Sequence, residues 1–304
     1  MATAPNGAEP TRSAECTGIY CRGTRKWWTP ILSKYFDTIP HRDLMQSVAR
    51  RIVDRHVLHL IKMWLQAPVE ERDREGKRRM RGGKSNKSGT PQGGVVSPLL
   101  ANLYMNRFLK HWRLTGRGEA FRAHIVAYAD DFVILSRARA DEALAWTRAA
   151  MSKLGLTLNE AKTSLKDARK ERFDFLGYTF GPHRRTKDGR LYTGASPSKK
   201  SVHRIKTKIG DMLTPQNVAP WPKVRQRLNR LLLGWSAYFS YGSLAKAYRD
   251  VDHYVVDHVR GFLARRHKMQ NRGARRFSRA AIYADLEVVS LWKHNPNPAP
   301  KASR

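Results

Sequence analysis

The sequence predicts an α+β fold in which an antiparallel sheet with helices on one face is followed by a separate helical domain. Residues 125–135 hold two apolar runs, rich in β-branched and aromatic residues, around a short turn, which is typical of a β-hairpin. Before and after this hairpin, apolar residues recur at helical spacing and predict helices that pack on the sheet. Residues 196–280 are helical in pattern and strongly basic, so we assign them to a domain of their own.

The segments before the hairpin differ in character. Residues 1–30 hold Gly, Pro, Thr and Arg without a period, and we expect them to form a disordered lead-in. Residues 31–41 are typical of a strand end and a turn, and a long helical pattern follows over residues 44–65. The charged, glycine-rich stretch 70–89 predicts a solvated loop or hairpin whose basic side chains can contact phosphate.

Further helices and strands are predicted along the rest of the chain. Ser97 and Pro98 predict the N-cap and first turn of an amphipathic helix that runs to about Trp112. The later predicted elements are a helix over 141–154, short strands within 155–159 and 173–180, and helices over 198–209, 220–241 and 251–263. The predicted domain boundaries are 31–195 for the α+β domain, 196–280 for the helical domain and 281–304 for a C-terminal tail.

The charge of the chain predicts a polyanionic partner. Its 58 Lys and Arg outnumber 25 Asp and Glu, which gives a net charge of +33. Such an excess favours binding to nucleic acid. The apolar runs are shorter than the ~20 residues of a spanning helix, and secretory and lipidation signals are absent, so no membrane partner is expected. Cys16 and Cys21 are expected to be free thiols in a reducing compartment, which favours a cytoplasmic location.

The turn of the hairpin carries two adjacent carboxylates, Asp130 and Asp131. Two ionised carboxylates beside a buried hairpin are costly unless a positive charge neutralises them. The candidates are Arg or Lys, which are abundant in this chain, and a divalent metal ion. Carboxylate oxygens are ligands of the type that Mg²⁺ prefers.

Five short motifs follow one another along the chain. They are Pro91-Gln92-Gly93-Gly94 with the segment up to Asn102, Tyr128-Ala129-Asp130-Asp131, Gly155-Leu156-Thr157-Leu158-Asn159 with Lys162-Thr163, Phe175-Leu176-Gly177-Tyr178, and Gly234-Trp235-Ser236-Ala237-Tyr238-Phe239. In this order they resemble the group II intron reverse transcriptase/maturase family of bacterial type, over residues 32–280. Each motif alone has little specificity, whereas five in the family's order are specific.

The resemblance implies a right-hand polymerase. Its palm would carry the acidic site, its fingers would be largely missing, and a helical thumb/maturase domain would grip RNA. Family members copy RNA into DNA and assist their host intron in splicing and mobility. The implied partners are therefore an intron RNA template, a DNA primer and dNTPs, with Mg²⁺ as the cofactor and a homodimer as an open option. A bacterial cytoplasm, with the protein associated with RNA or the nucleoid, is the implied location.

The resemblance also assigns roles to single residues. The catalytic and metal-binding roles fall on Asp130 and Asp131, with Asp130 as the main ligand. The nucleotide- and template-binding roles fall on Phe36, Gln92, Gly93 and Lys162. Phe36 would screen the sugar of the incoming nucleotide, and Lys162 would lie near the primer. The basic side chains expected to contact RNA phosphates are Lys199, Lys200, Arg204, Arg225, Arg227 and Arg230.

Each assignment has a plainer alternative. The two aspartates would otherwise form a solvated hairpin tip paired with Arg, Gln92 a polar residue at a helix entry, Phe36 a core residue and Lys162 a surface lysine. Aromatic residues at helical spacing in the helical domain can stack on bases but equally suit a core, and these are Trp235, Tyr238 and Tyr241.

The chain departs from the family at one position. The family's palm has a third carboxylate six residues before the Asp of a Tyr-Phe-Asp element, which here is Tyr35-Phe36-Asp37, so Ile31 occupies the position. Isoleucine cannot ligate a metal, and the only acidic residues before Asp37 are Glu9 and Glu15. Because residues 1–30 also look unlike the family's fingers, we expect an N-terminally truncated copy with weak polymerase activity.

Three functions therefore compete. The first is an RNA-directed DNA polymerase with maturase function, and the second is an RNA-binding splicing remnant with impaired chemistry. The third is a non-functional fragment whose sheet lacks one strand. Primer extension on an RNA template separates the first two, and a cooperative unfolding transition would argue against the third.

Overall fold

The computed structural model describes residues 15–16, 18–19, 24–30, 32–72, 78–83, 85–91, 93–129, 131–160, 163, 165–184, 189–269, 273 and 275–294. Backbone contacts divide the chain into two units. The first unit holds Met1–Arg12 and Arg22–Ala168, and the second holds Ser13–Cys21 and Arg169–Arg304. Each unit has a hydrophobic core of its own.

The first unit is built on an antiparallel sheet. Its strands are β1 Lys26–Trp28, β2 Val69–Arg72, β3 Arg78–Arg81, β4 Ala123–Tyr128, β5 Asp131–Ser136 and β6 Lys166–Asp167. Its helices are α1 Tyr35–Thr38, α2 His41–Ala49, α3 Arg55–Gln66, α4 Ser97–Leu114, α5 Arg117–Ala120 and α6 Ala140–Lys153. The main sheet has the order β4-β5-β1-β6, and β2 and β3 form a separate hairpin. The predicted α+β fold class is confirmed.

Strand β1 lies inside the main sheet, where it pairs with β5 on one side and with β6 on the other. Its Trp27 and Trp28 are buried. The prediction that residues 1–30 are a disordered lead-in is therefore wrong for this strand. Its three residues, Lys-Trp-Trp, show no alternation of apolar and polar residues that could mark a strand. They form a strand because they pair with residues more than 100 positions away in the sequence.

Two helix boundaries in the first unit correct the sequence prediction. The long helical pattern over residues 44–65 is two helices, because Asp54 accepts hydrogen bonds from the His56 and Val57 N–H groups and so starts α3. Helix α4 begins at Ser97 with Val96 as its N-cap, so Ser97 is not the cap. Its hydroxyl donates to the Pro91 carbonyl at 2.6 Å, which ties the start of α4 to the loop before it.

The second unit combines a small sheet with several helices. Its strands are β7 Phe173–Phe175, β8 Tyr178–Arg184 and β9 Leu191–Pro197, paired in that order as antiparallel neighbours. Its helices are α7 Lys199–Met212, α8 Trp221–Tyr238, α9 Ala245–Arg266 and α10 Arg279–Ala284. Ser198 caps α7, because its hydroxyl oxygen accepts a hydrogen bond from the Ser201 N–H at 3.1 Å. In the described parts of both units, every helix is too short or too polar to cross a membrane.

The small sheet belongs with the helices that follow it. The Tyr178 hydroxyl donates to the Tyr238 carbonyl at 3.1 Å, and the Tyr238 hydroxyl donates to the Leu176 carbonyl at 2.9 Å. Burial raises the pKa of the Tyr178 hydroxyl to about 12. Backbone contacts accordingly divide the chain after Ala168, whereas the sequence placed the boundary after residue 195.

The segment after residue 280 is also part of the second unit, rather than a tail as far as Leu291. Ile282, Val288 and Leu291 are buried in the helical core. Asp252, in the middle of α9, is fully buried and its carboxylate holds this segment. It accepts hydrogen bonds from the Ser290 hydroxyl and the Leu291 N–H, both at 2.9 Å, and from the Trp292 N–H at 3.0 Å.

Candidate active site and nucleic-acid interface

The predicted hairpin is formed by β4 and β5, which are closed by the pair Tyr128 and Asp131. Ala129 has a left-handed φ of 53°, as a tight two-residue connection requires. Its companion in the turn, Asp130, lies outside the described residues. Asp131 is exposed at the first position of β5, whereas the next five residues of this strand are buried. The hairpin therefore presents the Asp131 carboxylate at the solvent edge of a buried strand.

The neighbours of β5 fix the backbone that carries Asp131. The strand pairs with β4 along its whole length and, over residues 134–136, with β1 on its other side. Phe132 packs against Phe108 of α4, with ring centroids 5.6 Å apart. A site residue on a paired strand has a more precisely placed backbone than one on a loop.

A second predicted site residue, Phe36, lies on the short helix α1. It is half-buried and packs against the core, with its ring 5.6 Å from that of Tyr35 in an edge-on arrangement. Its carbonyl accepts a hydrogen bond from the Thr90 N–H at 2.6 Å. This hydrogen bond joins α1 to the loop that leads to Gly93.

Gly89 sets the close approach between α1 and this loop. Its φ is +91°, and a Cβ atom there would lie 3.0 Å from the Asp37 carbonyl oxygen. Its N–H donates to the Ile39 carbonyl at 2.8 Å, and its own carbonyl is 2.6 Å from the His41 ring Nε2. A side chain at this position would push the two segments apart, so glycine is needed here.

The loop before α4 is a fixed turn with one open side. The Gly94 N–H donates to the Pro91 carbonyl at 3.2 Å, and a Cβ on Gly94 would be 2.8 Å from the Ser97 hydroxyl oxygen. Gly93 is exposed with a φ of +88°, and nothing in the described structure lies within 4 Å of a Cβ built on it. The backbone at Gly93 is therefore open to close approach by a ligand, as its predicted role requires.

Several predicted residues lie outside the described part of the chain. They are Ile31, Gln92, Asp130 and Lys162. Among the described residues, no three His, Cys, Asp or Glu side chains come together as a metal site would need. The magnesium site therefore stays a prediction. Only one of its two predicted ligands, Asp131, has a described position, and Ile31 adds no oxygen.

The basic residues predicted to bind RNA lie on α7 and α8 of the second unit. Lys199, Lys200 and Arg204 are exposed on α7, which buries Ile205 and Ile209 on its other side. Lys208, which the sequence interpretation missed, is exposed four residues after Arg204 and extends the same stripe. Its signal in the sequence is the spacing of four between residues 200, 204 and 208.

The predicted RNA-binding residues of helix α8 differ in their exposure. Arg227 and Arg230 are exposed, whereas Arg225 is half-buried and forms an ion pair with Glu287. Trp235 packs at 4.8 Å from the Phe239 ring and Tyr238 at 4.7 Å from it, so both serve the core. Tyr241 is 42% exposed and stays available for base stacking.

Two family models match the chain. Residues 19–180 match the model described as reverse transcriptase (RNA-dependent DNA polymerase), and residues 202–280 match the model described as group II intron, maturase-specific domain. The first match includes β1 and starts within the segment that we expected to be unlike the family. The resemblance inferred from the five motifs is confirmed.

Individual relatives are similar over part of their length. YkfC of Escherichia coli (strain K12) is 30% identical over 191 residues, which are 52% of this chain and 48% of that protein. An uncharacterized 91 kDa protein in the cob intron of Schizosaccharomyces pombe is 32% identical over 109 residues, which are 34% of this chain and 12% of that protein. The chain thus spans about half the length of the first and about an eighth of the second.

Among solved structures, two telomerases align with this chain at low sequence identity. Telomerase from Candida albicans in complex with a fragment of telomeric RNA gives a TM-score of 0.46 at 13% identity, over 93% of this chain and 54% of that one. Apo telomerase from Candida tropicalis gives a TM-score of 0.45 at 10% identity, over 88% of this chain and 46% of that one.

Proposed function

We propose that this chain, which belongs to the reverse transcriptase (RNA-dependent DNA polymerase) family and contains a group II intron maturase-specific domain, binds intron RNA through its second unit to assist splicing. We further propose that the hairpin of its first unit is the remnant of a polymerase site with weakened activity. The observation that carries the first proposal is the stripe of exposed basic residues on α7, Lys200, Arg204 and Lys208, which we call the α7 stripe.

The charge of the second unit supports RNA as the partner. Residues 169–304 contain 29 Lys and Arg against nine Asp and Glu. Few of these acidic residues neutralise the α7 stripe, since the described ion pair on α7 joins Asp250 to Lys206, which is on another side of the helix. Phosphate contacts by such side chains supply most of the affinity for nucleic acid and make it depend steeply on salt.

Replacing all three residues of the α7 stripe with alanine should weaken RNA binding on every sequence tested. Each lost phosphate contact lowers the slope of log K against log salt by ~0.7 to 0.9, so the slope should fall by about 2 to 3. Titration of a labelled intron RNA at several salt concentrations measures both quantities. The matched control is Lys206→Ala, which removes a cation of the same helix that is paired with Asp250 at 2.8 Å. A triple variant with the slope of the unchanged protein would contradict the proposal.

The polymerase proposal rests on the hairpin and on the family. The family resemblance implies two divalent ions here, which when bound would activate the primer 3′-hydroxyl and stabilise the leaving pyrophosphate. The residues of this chain do not fit that pair of ions well, because Ile31 stands where the family has a carboxylate. Asp131 is exposed at the end of β5, and the hydrogen bond from the Thr90 N–H to the Phe36 carbonyl joins α1 to the loop that leads to Gly93. These observations, with the family's pattern, support a polymerase site whose set of metal-binding carboxylates is incomplete.

The double change Asp130→Asn with Asp131→Asn should abolish whatever primer extension the chain retains, because amides replace both hairpin carboxylates at nearly constant size. Extension of a DNA primer on an RNA template with dNTPs and Mg²⁺ measures it. The control is Asp141→Asn, an exposed acidic residue of α6 that pairs with Lys26 and has no predicted catalytic role. Equal extension by the unchanged protein and the double variant would assign the signal to a contaminant and contradict the polymerase proposal.

A further inference from the structure

A groove of about 770 Å³ opens in the second unit between the β8–β9 hairpin and the loop that joins α8 to α9. Arg169, Pro182, Tyr192 and Ser243 are among the residues that line it. Its volume is that of a pocket for a small organic molecule or one nucleotide. None of the residues assigned above to polymerase chemistry or phosphate binding lines it.

Two glycines shape the groove. A Cβ on Gly194 would lie 2.9 Å from the Tyr192 ring, so the ring rests directly over the backbone of β9. Gly242 has a φ of +79°, and a Cβ there would lie 2.2 Å from the Ala195 carbonyl oxygen. The Ser243 N–H donates to that same carbonyl at 2.7 Å. The loop that joins α8 to α9 is thereby fixed against β9, so the backbone of the fold defines the shape of the groove.

Tyr192 is a rigid aromatic surface in this groove. Its hydroxyl shares a hydrogen bond of 2.5 Å with the Ser243 hydroxyl, and its ring packs 5.7 Å from the His183 ring. Burial, together with the charge of Arg172, lowers the pKa of His183 and so favours its neutral ring. Tyr192 nevertheless remains 39% exposed. A fixed and accessible ring is what a planar base needs for stacking.

Arginine residues are concentrated in the segments that form this groove. Arg169 lines the groove, and the Arg172 guanidinium donates to the carbonyl of Pro182 in its wall at 2.9 Å. Arg184 and Arg190 are exposed at the adjacent ends of β8 and the hairpin loop. Guanidinium groups beside an aromatic ring can bind a phosphate while the ring holds the base.

We propose that this groove binds one unpaired nucleotide of RNA, with its base stacked on Tyr192 and its phosphate near Arg169 and Arg172. This site rests on the proposed function, because it adds recognition of unpaired RNA to a unit proposed to bind RNA through phosphates. The hydroxyl groups of Thr193 and Ser243 line the same groove and can exchange hydrogen bonds with the ribose or the base edge.

The test compares binding of single-stranded and blunt duplex RNA by the full chain. Tyr192→Ala should weaken binding of single-stranded RNA about 5- to 150-fold, the range expected for one base stack. It should leave duplex binding unchanged, because a paired base cannot stack on Tyr192. Tyr192→Phe keeps the ring and should bind like the unchanged protein. Trp292→Ala removes another partly exposed aromatic residue of the same unit, 37% exposed, and should also have no effect.

Photo-crosslinking of the unchanged protein gives a second measurement that does not depend on a variant folding. Single-stranded RNA carrying 5-iodouracil should crosslink to the peptide that contains Tyr192. Two results would contradict the proposed nucleotide site while leaving RNA binding by the second unit intact. One is that the crosslinks are confined to other peptides, and the other is that Tyr192→Ala binds single-stranded RNA as tightly as the unchanged protein. Failure of the unchanged protein to bind any RNA would instead overturn the proposed function and the groove with it.

Discussion

Replacing Ile31 with aspartate should raise primer extension on an RNA template by about 100-fold or more. The substitution supplies the carboxylate that the family has at this position and that this chain lacks. Loss of one group that stabilises charge in a transition state typically costs a factor of about 100 to 1,000, or about 2.7 to 4 kcal/mol. The gain should be measured as the initial rate of dNTP incorporation with Mg²⁺ and with equal amounts of folded protein.

A matched variant separates ligation from polarity at this position. Ile31→Asn has nearly the size of the aspartate and is polar, but it lacks the negative charge, so it should not restore extension. Ile31→Asp combined with Asp130→Asn and Asp131→Asn should be inactive, because the restored carboxylate needs its partners on the hairpin. An unchanged protein already as active as Ile31→Asp would show that Ile31 does not limit catalysis.

The hairpin could be predicted from the sequence because the residues that form it are close together along the chain. Residues 125–135 contain both strands and the turn, and each strand pairs with its neighbour along the chain. The cap at Ser198 and most of the helices are local in the same sense, since periodicity and a capping side chain mark them. Two of the five motifs singled out Asp131 and Gly93, and both residues are exposed in the structure.

The elements that sequence reasoning missed depend on distant partners. Lys26–Trp28 become a strand because residues 134–136 pair with them, and Leu291 is buried because Asp252 holds its N–H from the middle of α9. The small sheet joins the second unit through Tyr178 and Tyr238, which are 60 positions apart. The groove at Tyr192 likewise exists only because Gly242 meets Ala195. No pattern within a short window of sequence carries such information.

Replacing Asp252 with alanine should destabilise the second unit by about 3 to 5 kcal/mol. Its carboxylate is fully buried and accepts three hydrogen bonds, two of them from the Leu291 and Trp292 N–H groups. Each buried donor left without a partner costs about 1 to 3 kcal/mol, and the lost side chain also leaves a cavity. The segment from Ile282 to Leu291 should therefore detach from the helical core before the rest of the unit unfolds.

Denaturant unfolding of the full chain measures the loss of stability, and amide hydrogen exchange at Leu291 and Trp292 locates it. The control is Asp250→Ala, two residues earlier on α9, which removes a more exposed carboxylate paired with Lys206 and should cost less than about 1 kcal/mol. The loss of stability in Asp252→Asn should lie between those of Asp252→Ala and Asp250→Ala. Its amide oxygen can still accept a hydrogen bond, whereas its NH₂ group faces other donors. Equal stability of the Asp252 and Asp250 variants, with the Leu291 amide still protected, would show that apolar packing alone holds this segment in place.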